Sequence, residues 1–189
     1  MKLVFATHNK NKLEEVKKLV PTHIKLVSLT NIGCFNEIPE TGTTLEENAK
    51  IKADYVTKNY GLACFADDTG LIVDILNGEP GVYSARYAGL DKNSDDNMNK
   101  LLHKLEDKNS RTAYFKTVIA LNLNEEKHLF SGIVEGEILA ERKGQGGFGY
   151  DPIFKPNGYK ETFAELPLSI KNKISHRGKA MKKLLDFLQ

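Results

Sequence analysis

Five polar clusters in this chain of 189 residues hold side chains able to do chemistry. The most demanding is Asp67-Asp68-Thr69-Gly70, directly after the apolar run 62–66. Two adjacent carboxylates at the end of a buried strand carry a large desolvation cost unless something positive binds them. Ligands of open α/β sheets bind at the carboxyl ends of strands, so a metal ligand or a water-activating base is the natural role. Glu37 to Glu40 with Thr41-Gly42, then Glu46, Glu47 and Asn48, form a second, acidic cluster. Carboxylates near a phosphate suit magnesium, which takes one or two of them with phosphate oxygens and waters. The same residues also suit the acidic first turn of a helix.

The third cluster, Thr7-His8-Asn9-Lys10-Asn11-Lys12, lies where a short strand gives way to a helical pattern. Backbone N–H groups at a helix start attract anions, and Thr, Asn and Lys side chains add donors. It reads either as a phosphate cradle or as a solvated loop capped by Asn. The fourth, Gly144-Gln145-Gly146-Gly147-Phe148-Gly149-Tyr150-Asp151-Pro152, matches GxGxxG literally. A dinucleotide fingerprint needs a helix after the glycines, and Tyr150-Asp151-Pro152 follows instead. A glycine loop ending in Phe148 and Tyr150 better suits a flat base on an aromatic wall, with Asp151 as its polar reader. The alternative is a β-turn with two core aromatics. The fifth cluster is Lys171, Lys173, Ser175, His176 and Arg177. The chain has 23 lysines and four arginines, so a Ser-His-Arg run near a lysine reads as anion or base recognition.

Periodicity supplies the elements that must place these groups. Residues 3–7 read as a buried strand. Leu13, Val16, Leu19 and Val20 then share a helical face that Pro21 ends. Residues 24–29 form a second strand. Thr44 with Glu47 three residues on is a capping-box spacing that opens a helix over 45–60, and Gly61 fits its stop. Residues 62–66 make the most apolar strand. Residues 71–76 fit either helix or strand. Met98, Leu101, Leu102 and Leu105 have helical spacing, and residues 113–123 and 129–139 are long strands joined by a polar turn at 124–127. Residues 180–188 form an amphipathic helix. There is no repeat and no long linker, which predicts one domain over 1–189, an α/β protein with a mixed sheet.

Composition removes several classes. The net charge of +2 is too balanced for bulk-charge binding of nucleic acid. The longest apolar run is five residues, whereas a membrane span needs about 20. The N-terminus turns polar after six residues, too soon for a signal peptide, so a cytoplasmic protein is expected. Cys34 and Cys64 have neither CxxC spacing nor clustered histidines, which predicts reduced thiols and no zinc.

Taken together the clusters resemble the inosine triphosphate pyrophosphatase family, hydrolases of non-standard purine nucleoside triphosphates. The resemblance runs nearly end to end, through ATHNKNKLEEV, ETGTTLEENAKIKA, ADDTGLIVD, GEPGVYSARYAG, GGFGYDPIF and KNKISHRGKA. It implies an elongated α/β fold with a central mixed sheet flanked by helices and two lobes, the nucleotide lying in the cleft between them, and a homodimer. It makes Thr7, His8, Asn9, Lys10, Asn11 and Lys12 the phosphate segment. Asp68 becomes magnesium ligand and proton acceptor, with Thr69 the adjacent substrate contact. Phe148, Gly149, Tyr150 and Asp151 match the base pocket, and Lys171, His176 and Arg177 the C-terminal substrate contacts. Many bacterial relatives carry two acidic residues before Thr-Gly. Here the pair is Pro39-Glu40, so Glu40 is taken as the second metal carboxylate, with Glu37 behind it.

The implied reaction is magnesium-assisted hydrolysis between the α- and β-phosphates of inosine, deoxyinosine or xanthosine triphosphate, giving monophosphate and pyrophosphate. Two other classes fit parts of the sequence. Asp68-Thr69-Gly70 after an apolar strand matches the triplet of a retroviral-type aspartic protease, though the long helices and Asp67 argue against it. A non-catalytic nucleotide-binding module is the other. His176 and Arg177 are expected to act on the nucleotide, with little weight in thermal stability.

Overall fold

Short apolar runs alternating with helical patterns build the first third of the chain. In the computed structural model, which describes residues 1–189, β1 (Lys2–Phe5) leads into α1 (Lys10–Lys17). β2 (Lys25–Ser28) then lies parallel to β1, from Lys2↔Lys25 to Phe5↔Ser28. α1 starts where Asn9 accepts a hydrogen bond from Lys12 N at 3.1 Å. The capping box forms as the sequence predicts: Thr44 and Glu47 satisfy each other's backbone N–H and open α2 (Leu45–Tyr60). Gly61 ends that helix in the left-handed region at φ +63°. The buried side of α2 comprises Leu45, Asn48, Ala49, Lys52, Ala53 and Val56, so two polar residues sit on an otherwise apolar stripe.

The strand after α2 departs from expectation. The sequence pattern ends it at Asp67-Asp68, but β3 runs without a break over Cys64–Val73, carrying both carboxylates in mid-strand. The ambiguous stretch 71–76 divides between the end of β3 and one 3-10 turn, Asp74–Leu76. β4 (Pro80–Gly81) pairs antiparallel with β3 through Leu71↔Gly81 and Ile72↔Pro80. After α3 (Ser94–Lys104) come β5 (Thr112–Leu123) and β6 (Glu126–Ile138). Their connection is tighter than the predicted four-residue turn. Asn124 and Glu125 both take positive φ, 50° and 67°, the conformation that lets a two-residue hairpin follow the strand twist. β7 (Phe154–Pro156) lies antiparallel to β6, with Pro156 opposite Gly136. A Cβ at Gly136 would overlap the Lys155 carbonyl oxygen, so that register requires glycine.

The sheet runs in the order β2-β1-β3-β5-β6-β7 with β4 beside β3, a mixed sheet as anticipated. The chain divides into two units, one of Met1–Asp68, Thr117–Gly132 and Arg177–Gln189, the other of Thr69–Lys116 and Ile133–His176. The core of the first gathers Leu3, Phe5, Val16, Phe65, Ile119 and Leu184, with Phe5 and Phe65 stacked at 4.6 Å. The second packs Leu71, Leu101, Phe115, Phe154 and Phe163. α4 (Leu168–Ile174) has no counterpart in the sequence reading, because its buried residues are Lys171 and Asn172 rather than an apolar stripe. Ser175, extended at ψ 158°, separates it from α5 (His176–Phe187).

Gly61 has open space where a Cβ would go, so only its backbone conformation opposes substitution. Gly61→Ala should therefore lower unfolding free energy by about 1 kcal/mol or slightly more, read as a shift of the denaturation midpoint.

Candidate active site

Asp67 and Asp68 are both buried, and each survives by its own set of partners. Successive side chains on a strand point to opposite faces. Asp67 accepts from Lys12 Nζ at 3.0 Å on Oδ1 and from Arg177 Nε at 3.0 Å on Oδ2. Arg177 also donates through Nη1 to Glu15 Oε2 at 2.5 Å. Asp68 accepts from Lys52 Nζ at 3.0 Å on Oδ1 and from the Asn48 amide at 3.4 Å on Oδ2. Lys52 reaches Glu40 as well, at 2.5 Å, so one ammonium stands between two carboxylates.

Electrostatics separates the two aspartates. Burial works against ionisation of Asp67, but Lys12, Arg177 and Lys52 overwhelm it and hold the carboxyl well below the usual range. For Asp68 burial prevails over Lys52 and Lys12, and its pKa rises. Burial likewise lowers the pKa of Lys12 despite Asp67. Lys52 moves the other way, because Asp68, Glu40 and Asp67 outweigh its desolvation. Asp67 is thus a fixed anion, while Asp68 is the carboxylate readier to take a proton. Three cations, Lys12, Lys52 and Arg177, face four carboxylates, Glu15, Glu40, Asp67 and Asp68, which leaves one net negative charge.

The rest of the amino-terminal cluster is more open. Thr7 Oγ1 accepts from Asn9 N at 3.1 Å, and exposed His8 donates from Nε2 to the Asn36 carbonyl at 3.0 Å. Asn9, Lys10 and Asn11 are exposed around the first turn of α1. Of the acidic candidates, Glu40 is half-buried against Lys52, whereas Glu37 is exposed. Glu47 serves its helix: its carboxylate accepts from Thr43 N, Thr43 Oγ1 and Thr44 N, which lowers its pKa.

In the second unit the glycine loop packs on protein backbone. Cβ atoms at Gly144 and Gly146 would stand 2.6 Å and 2.8 Å from Ala164, and one at Gly147 would overlap the Asp151 carboxylate. Asp151, expected as a reader of the base, accepts from Phe148 N at 2.8 Å and from Lys171 Nζ at 2.6 Å, and so fixes the loop and the lysine together. That ammonium lies 4.9 Å from the centre of the Phe148 ring. Tyr150 does not form a wall. It is 5% exposed, sits in the core and donates its hydroxyl to the Ser84 carbonyl at 2.8 Å. Phe148 alone of the two aromatics keeps a half-open ring; Gly149 is half-buried beside it, and Thr69 is a half-buried residue of β3.

His176 and Arg177 start α5 and are both almost fully buried, which overturns the expectation that they matter little to stability. The His176 ring stacks on Phe115 at 4.6 Å and 19°, and Arg177 carries the Glu15 and Asp67 pairs. Three participants escaped the sequence reading: Glu15, Lys52 and the amide role of Asn48. A signal existed, since Asn48 and Lys52 fall at i, i+4 on the apolar stripe of α2, and Glu15 sits beside Val16 on the buried side of α1. Polar residues on an apolar face are informative in a way that exposed ones are not.

The fold and the site together define a mixed α/β protein with a buried carboxylate–lysine cluster on its central strand. The model of the Ham1 family matches residues 3–187, and the chain belongs to that family. It is 61% identical to a dITP/XTP pyrophosphatase of Flavobacterium johnsoniae, over all of this chain and 98% of the relative. Among solved structures, the Ham1 protein of Staphylococcus aureus superposes with a TM-score of 0.90 at 40% identity, covering all of this chain and 98% of its own. That of Coxiella burnetii gives 0.91 at 42%, with the same coverage.

Removing one member of a buried ion pair leaves an uncompensated charge at a cost of about 3–5 kcal/mol. Arg177→Ala strands both Glu15 and Asp67 and should lower the urea midpoint steeply, whereas an exposed pair such as Lys182–Asp186 should be removable with almost no change.

Proposed function

We propose that this chain hydrolyses inosine, deoxyinosine and xanthosine triphosphates to the monophosphate and pyrophosphate, removing them from the nucleotide pool. The observation that carries the reading is the Glu40–Lys52–Asp68 arrangement, with Asp68 raised in pKa and Lys12 close by on Asp67. The near full-length identity to a relative named dITP/XTP pyrophosphatase supports the substrate class. The aspartic-protease alternative fails on chemistry. Such enzymes need two carboxylates sharing a proton, and Asp68 faces an ammonium and an amide.

The donor set also bears on magnesium. No group of three or more His, Cys, Asp or Glu side chains forms a self-sufficient metal site. Magnesium seldom needs one, since it keeps waters and completes its shell with substrate phosphates. Asp68 and Glu40 fit an ion arriving with the triphosphate. When bound, it would neutralise phosphate charge and ease deprotonation of water.

The protein's own groups supply the remainder. Lys12 and Lys52 offset charge on the phosphate chain, supported by donors from the 7–12 loop. Asp68 accepts a proton from the attacking water as its oxygen bonds to phosphorus and the α–β bridge opens, releasing pyrophosphate. Asp67 stays ionised and keeps Lys12 and Arg177 in place. Phe148 offers a flat face to the base. The Lys171 ammonium only donates, so a 6-oxo purine satisfies it and the 6-amino group of adenine does not. His176 and Arg177 support these contacts from the start of α5. The same reading carries a cytoplasmic homodimer, in keeping with two buried free cysteines and the family resemblance.

Pyrophosphate release from inosine triphosphate with magnesium is the direct test, and its absence would refute the proposal. Asp68→Asn should lose about 10²–10⁴ in turnover while remaining folded, and excess chelator should abolish the wild-type reaction. Because the pKa of Asp68 is raised, protonation should extinguish turnover on the acid side at a pH above the ordinary carboxylate value. Phe148→Ala should raise KM about tenfold, the loss of one stacked base, with an unchanged melting temperature.

A further inference from the structure

We propose that Asn48 is a positioning residue of the hydrolytic site, fixing Asp68 relative to the loop that carries Glu40. The inference rests on the role given to Asp68 above. Asn48 has 0% of its surface exposed and lies on the core-facing stripe of α2, where an amide is unfavourable unless both its ends are used. Both are. Oδ1 accepts from Gly42 N at 2.8 Å, and Nδ2 donates to Asp68 Oδ2 at 3.4 Å. The amide's orientation follows from its partners, because a backbone N–H only donates and an ionised carboxylate only accepts. The second contact is long, and burial and the charge on its acceptor strengthen it.

The loop is held as closely as the carboxylate. A Cβ on Gly42 would stand 2.6 Å from Glu47 Cβ and 2.7 Å from Asn48 Oδ1, so glycine lets the backbone lie directly on the first turn of α2. Glu40 is two residues before that contact. Asn48 and Lys52 are one helical turn apart on the same face, and each touches Asp68. One helix therefore refers both carboxylates to a single rigid frame, through an amide and an ammonium. The two links differ in kind. Lys52 carries a charge that a phosphate attracts, so substrate draws it away from Asp68. Asn48 is neutral and buried, and it keeps its hold on Oδ2 while the lysine turns to the polyanion. Its effect accordingly falls on turnover rather than on substrate affinity.

Two variants test this against a purely structural role. Asn48→Ala removes both contacts. Asn48→Asp keeps an acceptor for Gly42 N but replaces the donor to Asp68 with a like charge. Misplacement of a catalytic group by about 1 Å costs up to about a hundredfold, so kcat should fall between about tenfold and a hundredfold in both. KM for inosine triphosphate should stay near wild type. The rise in melting temperature on adding magnesium and a non-hydrolysable inosine triphosphate analogue should be retained. Wild-type kcat per folded molecule in Asn48→Asp would overturn the proposal, since only the Gly42 contact would then matter. So would a loss in Asn48→Ala that disappears once corrected for folded fraction, and this variant decides the matter if the buried charge unfolds the other. A wild-type protein that released no pyrophosphate would instead defeat the functional reading itself.

Discussion

Two adjacent carboxylates in the middle of a buried strand set the terms for the first unit. Asp67 is 2% exposed and belongs to the same ten-residue strand as Asp68. Left alone, either would neutralise itself or unfold its surroundings. The protein brings Lys12 from α1, Lys52 from α2 and Arg177 from α5 to meet them, so three helices are registered to β3 by charge as well as by packing. Buried ion pairs are weak contributors to net stability but severe penalties when broken. They therefore act chiefly on geometry.

The same constraint separates the two carboxylates in function. Asp67 is surrounded by more positive charge than its burial opposes, and it stays an anion that anchors others. Asp68 has fewer cations for its burial, and its proton affinity rises. Neighbours in sequence thereby acquire different chemistry from different faces of one strand. The second unit repeats the economy with Asp151. A single carboxylate takes the backbone of Phe148 and the ammonium of Lys171, and Gly147 leaves the room for it to approach. The literal GxGxxG match is a packing solution, with glycine required by Ala164 at positions 144 and 146 and by Asp151 at 147.

Much of this was legible in the linear chain wherever the governing interaction is local. The Thr44–Glu47 cap, the Gly61 stop and the replacement of an α-helix after Gly149 by one 3-10 turn and a strand depend on residues within a few positions of one another. So do the hydrophobic periods of α3, β5 and β6. A strand ending at Asp67-Asp68 followed from the same local logic and was wrong. Two charges do end a buried run when no partners exist, and the partners lie far off in sequence.

Composition and periodicity thus determined that this chain makes an α/β protein with a mixed sheet, an acidic pair beside its most apolar strand, and a lysine-rich set of candidates to balance it. Only the tertiary structure decided which cation meets which anion. Arg177 pairs with Asp67 across 110 residues and with Glu15 across 162, and Lys52 joins Glu40 and Asp68 from 12 and 16 residues away. It also turned His176 into a stacking partner of Phe115 and drew Tyr150 into the core. The reason is physical. Backbone hydrogen bonds and capping are satisfied between near neighbours, so their signals are written side by side in the chain. A buried charge is satisfied by whichever residue the packed elements deliver to its face of the strand.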